Sequence, residues 1–255
     1  MRNAKAVIVC LFGLAALLAV AGPAGAKPAR EQPVATLTLK PGTPGQVELP
    51  VTIQLAIALT LLTLAPAFLI LLTSFTRIVI VLAFLRSAIG VSQIPPNQVL
   101  IGLALFLTFF SMAPTLERVN KEAVQPYMAG QGDFKGAVNS GLKPLREFMF
   151  RQAGEKDLAL FLRLSGEPRP KTPDDLPTYV LVPAFSISEL KRAFEIGFLV
   201  YLPFLVIDLV VASVLMSMGM LMLPPVMVSL PFKVLLFVLV DGWRLVTESL
   251  LLTFH

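Results

Sequence analysis

The sequence predicts an all-α protein of the integral-membrane type, with helical hairpins made from four apolar elements and a polar, mostly helical extracytoplasmic insert. Three observations carry that prediction. Only 15% of the 255 residues are charged and 56% are hydrophobic, where a soluble domain has about 25% charged residues. The charges are also segregated, with 23 of the 37 lying in residues 117–195, 12 of them basic and 11 acidic. Finally, the nearly charge-free runs on either side are long enough for helices and are interrupted by proline pairs at Pro95-Pro96 and Pro224-Pro225.

The same composition excludes several function classes. Despite a net charge of +5, the bases of the charge-rich block are mixed almost one for one with acids, so no basic patch for nucleic acid emerges. His255 is the single histidine and Cys10 the single cysteine, which removes zinc sites, Ser-His-Asp triads and Cys-His pairs within one chain. No catalytic, cofactor-binding or metal-binding residues are expected.

Residues 1–26 carry the marks of a cleaved secretory signal peptide. Arg2 and Lys5 precede an apolar run that ends at Gly22, and Ala24 and Ala26 supply the small residues before the cut. Residues 27–50, with Pro and Gly at intervals, form an irregular arm. The expected division continues with a first apolar helical pair at 51–116, a polar periplasmic insert at 117–193, and a second apolar pair with a methionine-rich loop at 194–255.

The first apolar element, 51–89, would be about 58 Å long as one straight helix, twice the hydrocarbon core. A kink at Pro66 and a change of role near Arg77 and Arg86 are expected. The second element, 98–113, is expected to stop at Pro114 and is short for a span. The third, 194–218, carries Asp208 near its middle, and the capping-box pattern Ser186-Ile187-Ser188-Glu189 is expected to start the helix leading into it. Prolines up to Pro183 are expected to preclude a continuous helix before that point. The fourth, 226–254, carries Asp241, Arg244 and Glu248 at i, i+3 and i+7, one polar stripe if the helix is unbroken. Arg77 and Arg86 in one short connection and Lys233 in the other, with no acid nearby, place those connections in the cytoplasm and the insert and C-terminus outside.

Asp208 is the most costly residue of the apolar elements, about 2.5 to 3.5 kcal/mol at the centre of a spanning helix. It fits a proton relay, one half of an aspartyl protease dyad with Asp241, or a buried polar contact that fixes helix packing; the last is favoured, because the Gly-x-Gly-Asp context of intramembrane aspartyl proteases is missing. Arg77 is either a snorkelling anchor or the partner of a buried acid in another subunit. Met216, Met218, Met220 and Met222 alternate before Leu223-Pro224-Pro225, and would share one side if extended. Gap-filling in a helix is the plainer alternative.

Four stretches are specific enough to suggest a family. They are LTSFTRIVIVLAFLR at 72–86, PPNQVLIGLALFLT at 95–108, PAFSISELKRAF at 183–194, and the run at 196–243 through Met222-Leu223-Pro224-Pro225 to Val240-Asp241-Gly242-Trp243. Together they resemble the FliP family of type III secretion export gates, the flagellar branch more than the virulence branch. The resemblance implies an all-helical subunit that assembles as a pentamer with FliQ and FliR, beside other export-apparatus membrane components, in the inner membrane at the flagellar basal body. Unfolded export substrates would pass through its centre. It implies a pore gasket at Met220, Leu221 and Met222, with Leu221 standing where the family often has a third methionine. From their cost and placement in apolar elements, Asp208, Arg77, Arg86, Asp241, Arg244 and Glu248 are expected to serve buried polar contacts or assembly.

Overall fold

In the computed structural model the described residues are 51–91, 94–131, 133–168, 170, 172–220 and 222–254; the expected signal peptide and arm, 1–26 and 27–50, lie outside them. Every regular element among the described residues is helical. In chain order these are α1 (Val51–Leu72), α2 (Phe75–Ile89), α3 (Asn97–Val119), α4 (Phe134–Gln152), α5 (Glu155–Ser165), α6 (Thr178–Ser217), α7 (Pro225–Leu239) and α8 (Gly242–Leu252). A π turn at Asn120–Val124 and a last turn at Gln125–Met128 extend α3.

The packing is organised around α2. Ile78, Val81, Leu82, Leu85 and Ala88 are fully buried, and α2 makes its widest contact with α6, with α3 and α7 against its other sides. Gly197 on α6 permits that approach, because a Cβ there would stand 2.7 Å from the Phe84 ring. Phe84 then packs edge-on to Phe194, centroids 5.4 Å apart. Leu100 and Ala104 from α3, Phe204 from α6, Phe237 from α7 and Leu250 from α8 complete this core. A second core joins Met112 of α3, Phe148 and Met149 of α4, and Val180, Leu181 and Phe185 of the first turns of α6.

Two bends shape the apolar part. The axis turns by 84° between the end of α1 and α2, and by 64° between α7 and α8. The second bend is set by Asp241, in the left-handed region at φ 50, which Asp tolerates better than most side chains. Gly242 follows so tightly packed that a Cβ would stand 2.1 Å from the Phe237 ring.

Several sequence expectations change here. The break in the first element lies at Thr73-Ser74, while Pro66 is inside α1. Pro114 does not end the second element: the helix continues to Met128, 32 residues in all and long and apolar enough to cross a membrane. The third element begins at Thr178 and runs 40 residues with Pro183 and Pro203 inside it. A proline removes one hydrogen bond and bends the axis, and a well-packed or apolar helix absorbs that cost. Ser186 and Ser188 therefore do not cap a helix. Ser186 donates back to the Val182 carbonyl, and Ser188 Oγ accepts the Gly154 N–H at 2.8 Å and reaches Asp157, joining α5 to α6. The fourth element is two helices, so Asp241 leaves the stripe that Arg244 and Glu248 share.

The polar segment is anchored by its own charges. Arg118 at the end of α3 grips Glu147 of α4 with both Nη atoms, at 2.5 and 3.2 Å, and holds the Glu147 carboxyl below the usual carboxylate range. Asp133 caps α4 by accepting the Gly136 N–H at 3.1 Å.

Candidate functional site

Arg77 stands in the first turn of α2, just past the sharp bend, and is completely buried. A guanidinium has five N–H donors, and burying it is tolerable only if they are met. Here they are. Nε donates to Glu189 Oε2 at 2.9 Å and Nη2 to Glu189 Oε1; Nη2 also reaches Gln152 Oε1 at 3.0 Å; Nη1 reaches Thr253 Oγ1 at 2.9 Å and the Thr253 carbonyl at 3.3 Å. The Phe254 ring lies under the cation, 4.1 Å from its centroid. Gln152 Oε1 takes a second donor from Arg192 at 2.8 Å. One side chain thus ties together α2, α4, α6 and the segment just after α8, and Arg77 is the partner of a buried acid in its own chain.

A second pair sits between α6 and α7. Lys233 Nζ donates to Asp208 Oδ2 at 2.6 Å, and Ser229 Oγ to Oδ1 at 2.5 Å. Lys233 and Ser229 are one helical turn apart on α7, so one carboxylate clamps one face of that helix. Lys233 is 2% exposed and the Asp208 side chain 25%. Asp208 therefore makes a packing contact. Asp208 is committed to Lys233 and Ser229 while Asp241 stands exposed at the bend beyond α7, so the structure does not bring the two acids together as a dyad.

The remaining candidate residues are placed differently. Arg86 donates to Asn97 Oδ1 at 2.6 Å and to the Pro95 carbonyl at 3.3 Å, closing the turn from α2 to α3. Asp241, Arg244 and Glu248 are exposed on the chain, so they are not buried contacts within it. Arg77 and Lys233 are each paired with an acid, Glu189 and Asp208, which removes them from the charge bias used to orient the chain, while Arg86, in the last turn of α2, has no acid partner among the described residues.

Between α6 and α7 the methionines occupy a defined turn. Gly219, at φ 75, ends α6; its N–H bonds the Met216 carbonyl and the Met220 N–H bonds the Leu215 carbonyl, both at 3.0 Å. That is the Schellman arrangement, which needs a residue that accepts positive φ. Pro225 opens α7, where a missing N–H costs nothing. Met216 and Met218 belong to the end of α6, so the alternation is not one extended strand. Met220 is 43% and Met222 97% exposed, while Leu221 lies outside the described residues.

Sequence reasoning missed Glu189, Gln152, Thr253 and Phe254 around Arg77, and Ser229 and Lys233 around Asp208. The usable signal was unmatched charge: Arg77 in one apolar run and Asp208 in another each need a partner of opposite sign, which the structure supplies at Glu189 and Lys233.

The FliP family model matches residues 58–250, which include both ion pairs and the methionine turn. The chain belongs to the FliP family. It is 57% identical over 203 residues to the flagellar biosynthetic protein FliP of Bacillus subtilis, covering 80% of this chain and 92% of that one. It is 58% identical over 203 residues to the FliP of Caulobacter vibrioides, covering 80% and 76%, and 56% identical over 204 residues to that of Pectobacterium carotovorum, covering 80% and 79%. In this FliP-family chain the matched region begins within α1 and ends in α8.

Proposed function

We propose that this FliP-family protein is a membrane component of the flagellar protein-export apparatus, non-enzymatic, and a structural subunit of the gate through which unfolded flagellar proteins leave the cytoplasm. It assembles with further copies of itself, as a pentamer, and with FliQ and FliR. The observation that carries the gate reading is the methionine turn, held out from the packed body between a Schellman stop and a proline start with Met222 almost wholly exposed. Methionine is unbranched and polarizable, so turns from several copies can close around varied chains. Leu221 completes the apolar gasket with Met220 and Met222.

Support for assembly comes from the surface. Phe198, Leu199, Leu209, Val238 and Leu239 are exposed among many apolar neighbours, a surface made for lipid or for protein. Arg244 and Glu248 stand in the same part of the chain with no ion pair among the described residues, and Asp241 beside them serves the same contact between subunits. The proposed sidedness puts the polar segment 117–193 and the C-terminus in the periplasm, after a cleaved signal peptide at 1–26 and an arm at 27–50. It rests on that signal and on Arg86.

Replacing Met220 and Met222 by glycine tests the gasket. Cells carrying the variant are expected to leak small ions several-fold faster while still exporting filament protein. Unchanged ion retention with unchanged export would overturn the gasket.

A further inference from the structure

A cavity of about 450 Å³ opens beside the Arg77 cluster, lined by Arg77, Arg151, Gln152, Arg192, Glu195 and Thr253, a volume in the range of ligand pockets. Three guanidiniums line it against one carboxylate. Arg77 is neutralised by Glu189 and its donors are spent, so it forms a closed floor. Arg192 has committed only Nη1, to Gln152. Arg151, at the exposed end of α4, makes no hydrogen bond or ion pair among the described residues. Two guanidiniums with free N–H forks therefore face one space, with Glu195 the one acid in its lining and Glu189 and Glu147 close behind Arg192 and Arg151.

The position of the cavity defines its ligand. Arg192 and Glu195 are the last charges on α6 before Asp208, and from Phe194 onward that helix exposes Phe198, Leu199, Val206 and Leu209. The cavity thus sits where the charge-rich segment meets the apolar helices, the depth of a bilayer's headgroups. Paired arginine forks match carboxylate and phosphate oxyanions, and at headgroup depth the phosphate of an anionic lipid is the one at hand. We propose that this cavity binds a phosphate oxyanion, that of an anionic phospholipid headgroup, with Arg151 and Arg192 as its ligands and Glu195 as the group that limits affinity.

The test uses the full chain in nanodiscs of phosphatidylglycerol mixed with phosphatidylcholine, with native mass spectrometry counting the lipids retained, and titration with inorganic phosphate in parallel. Circular dichroism and the thermal midpoint control for folding. The R151Q/R192Q variant, which removes both charge-assisted contacts, is expected to retain phosphatidylglycerol at least roughly ten-fold less, with phosphatidylcholine unchanged. E195Q is expected to retain more. K191Q, which changes a neighbouring charge outside the cavity, is expected to behave as wild type. Equal loss with K191Q would mean diffuse charge and overturn the site, as would wild-type retention by R151Q/R192Q. Saturable, Arg151-dependent binding of inorganic phosphate without lipid preference would overturn the headgroup assignment. A fall in assembled complex with lipid retention unchanged would give the two arginines to a carboxylate of a neighbouring chain, and would overturn it too.

Discussion

Arg77 with Glu189 and Lys233 with Asp208 are the same chemistry in two settings. The first pair is sealed, both side chains fully buried, and joined to two further segments by hydrogen bonds. The second holds only α6 to α7, with its carboxylate a quarter exposed and its helices carrying broad exposed apolar faces. In a lipid environment apolar burial separates helices from nothing, since lipid tails are as apolar as leucine, and packing depends on shape and polar contacts. The sealed region is a body that closes on itself. The open region is held by a single clamp, and its remaining surface is left for neighbours.

The largest test of that contrast removes the acid of the sealed pair. Glu189→Ala leaves a buried guanidinium with two of its donors unmet, and the expected loss is roughly 3 to 5 kcal/mol, read from unfolding of the purified chain in detergent. The double variant Arg77→Met, Glu189→Leu is expected to recover most of it, because a buried pair replaced by apolar groups of similar volume is often neutral. A loss below about 1 kcal/mol for Glu189→Ala would mean that water reaches Arg77 and that the region is not sealed.

The open pair should respond less. Lys233→Met leaves Asp208 with the Ser229 hydroxyl and partial access to water, and the expected loss is roughly 1 to 3 kcal/mol in the same measurement. An equal loss at the two sites would erase the distinction between them.

How much of this contrast was legible beforehand depends on range. Charge segregation marked the apolar and polar segments, and the cost of Asp208 in an apolar run marked it as a packing contact. The helix limits were misplaced where a local rule met tertiary packing. Pro114, Pro183 and Pro203 sit inside long helices because one lost hydrogen bond is small beside a helix that packs or faces lipid along its length. Ser186-Ile187-Ser188-Glu189 has the letters of a cap, yet Ser188 is used to bind α5 and Glu189 to bind Arg77, 112 residues away. Nothing in a spacing pattern reports a partner that distant. The bend at Asp241 was hidden too, since Asp-Gly there follows an unbroken apolar run.

The smallest expected effect separates lipid from protein as the occupant of the open surface. Leu239, at the end of α7, is 73% exposed, while Leu82 in α2 is fully buried. Leu82→Ala is expected to cost roughly 2 to 5 kcal/mol in the isolated chain, the range for emptying a packed site. Leu239→Ala is expected to change the isolated chain by no more than about 0.5 kcal/mol, because it removes few contacts. Co-expression with the other gate subunits then decides what Leu239 meets. If neighbouring chains cover it, the alanine variant yields less assembled complex at unchanged monomer stability, since an apolar anchor has been removed from an interface. If lipid covers it, assembly is unchanged as well, for a lipid tail fills the space left by the lost methyl groups. The first outcome assigns the exposed face of α7 to assembly, and the second confines the open region's protein contacts to other faces of α6 and α8.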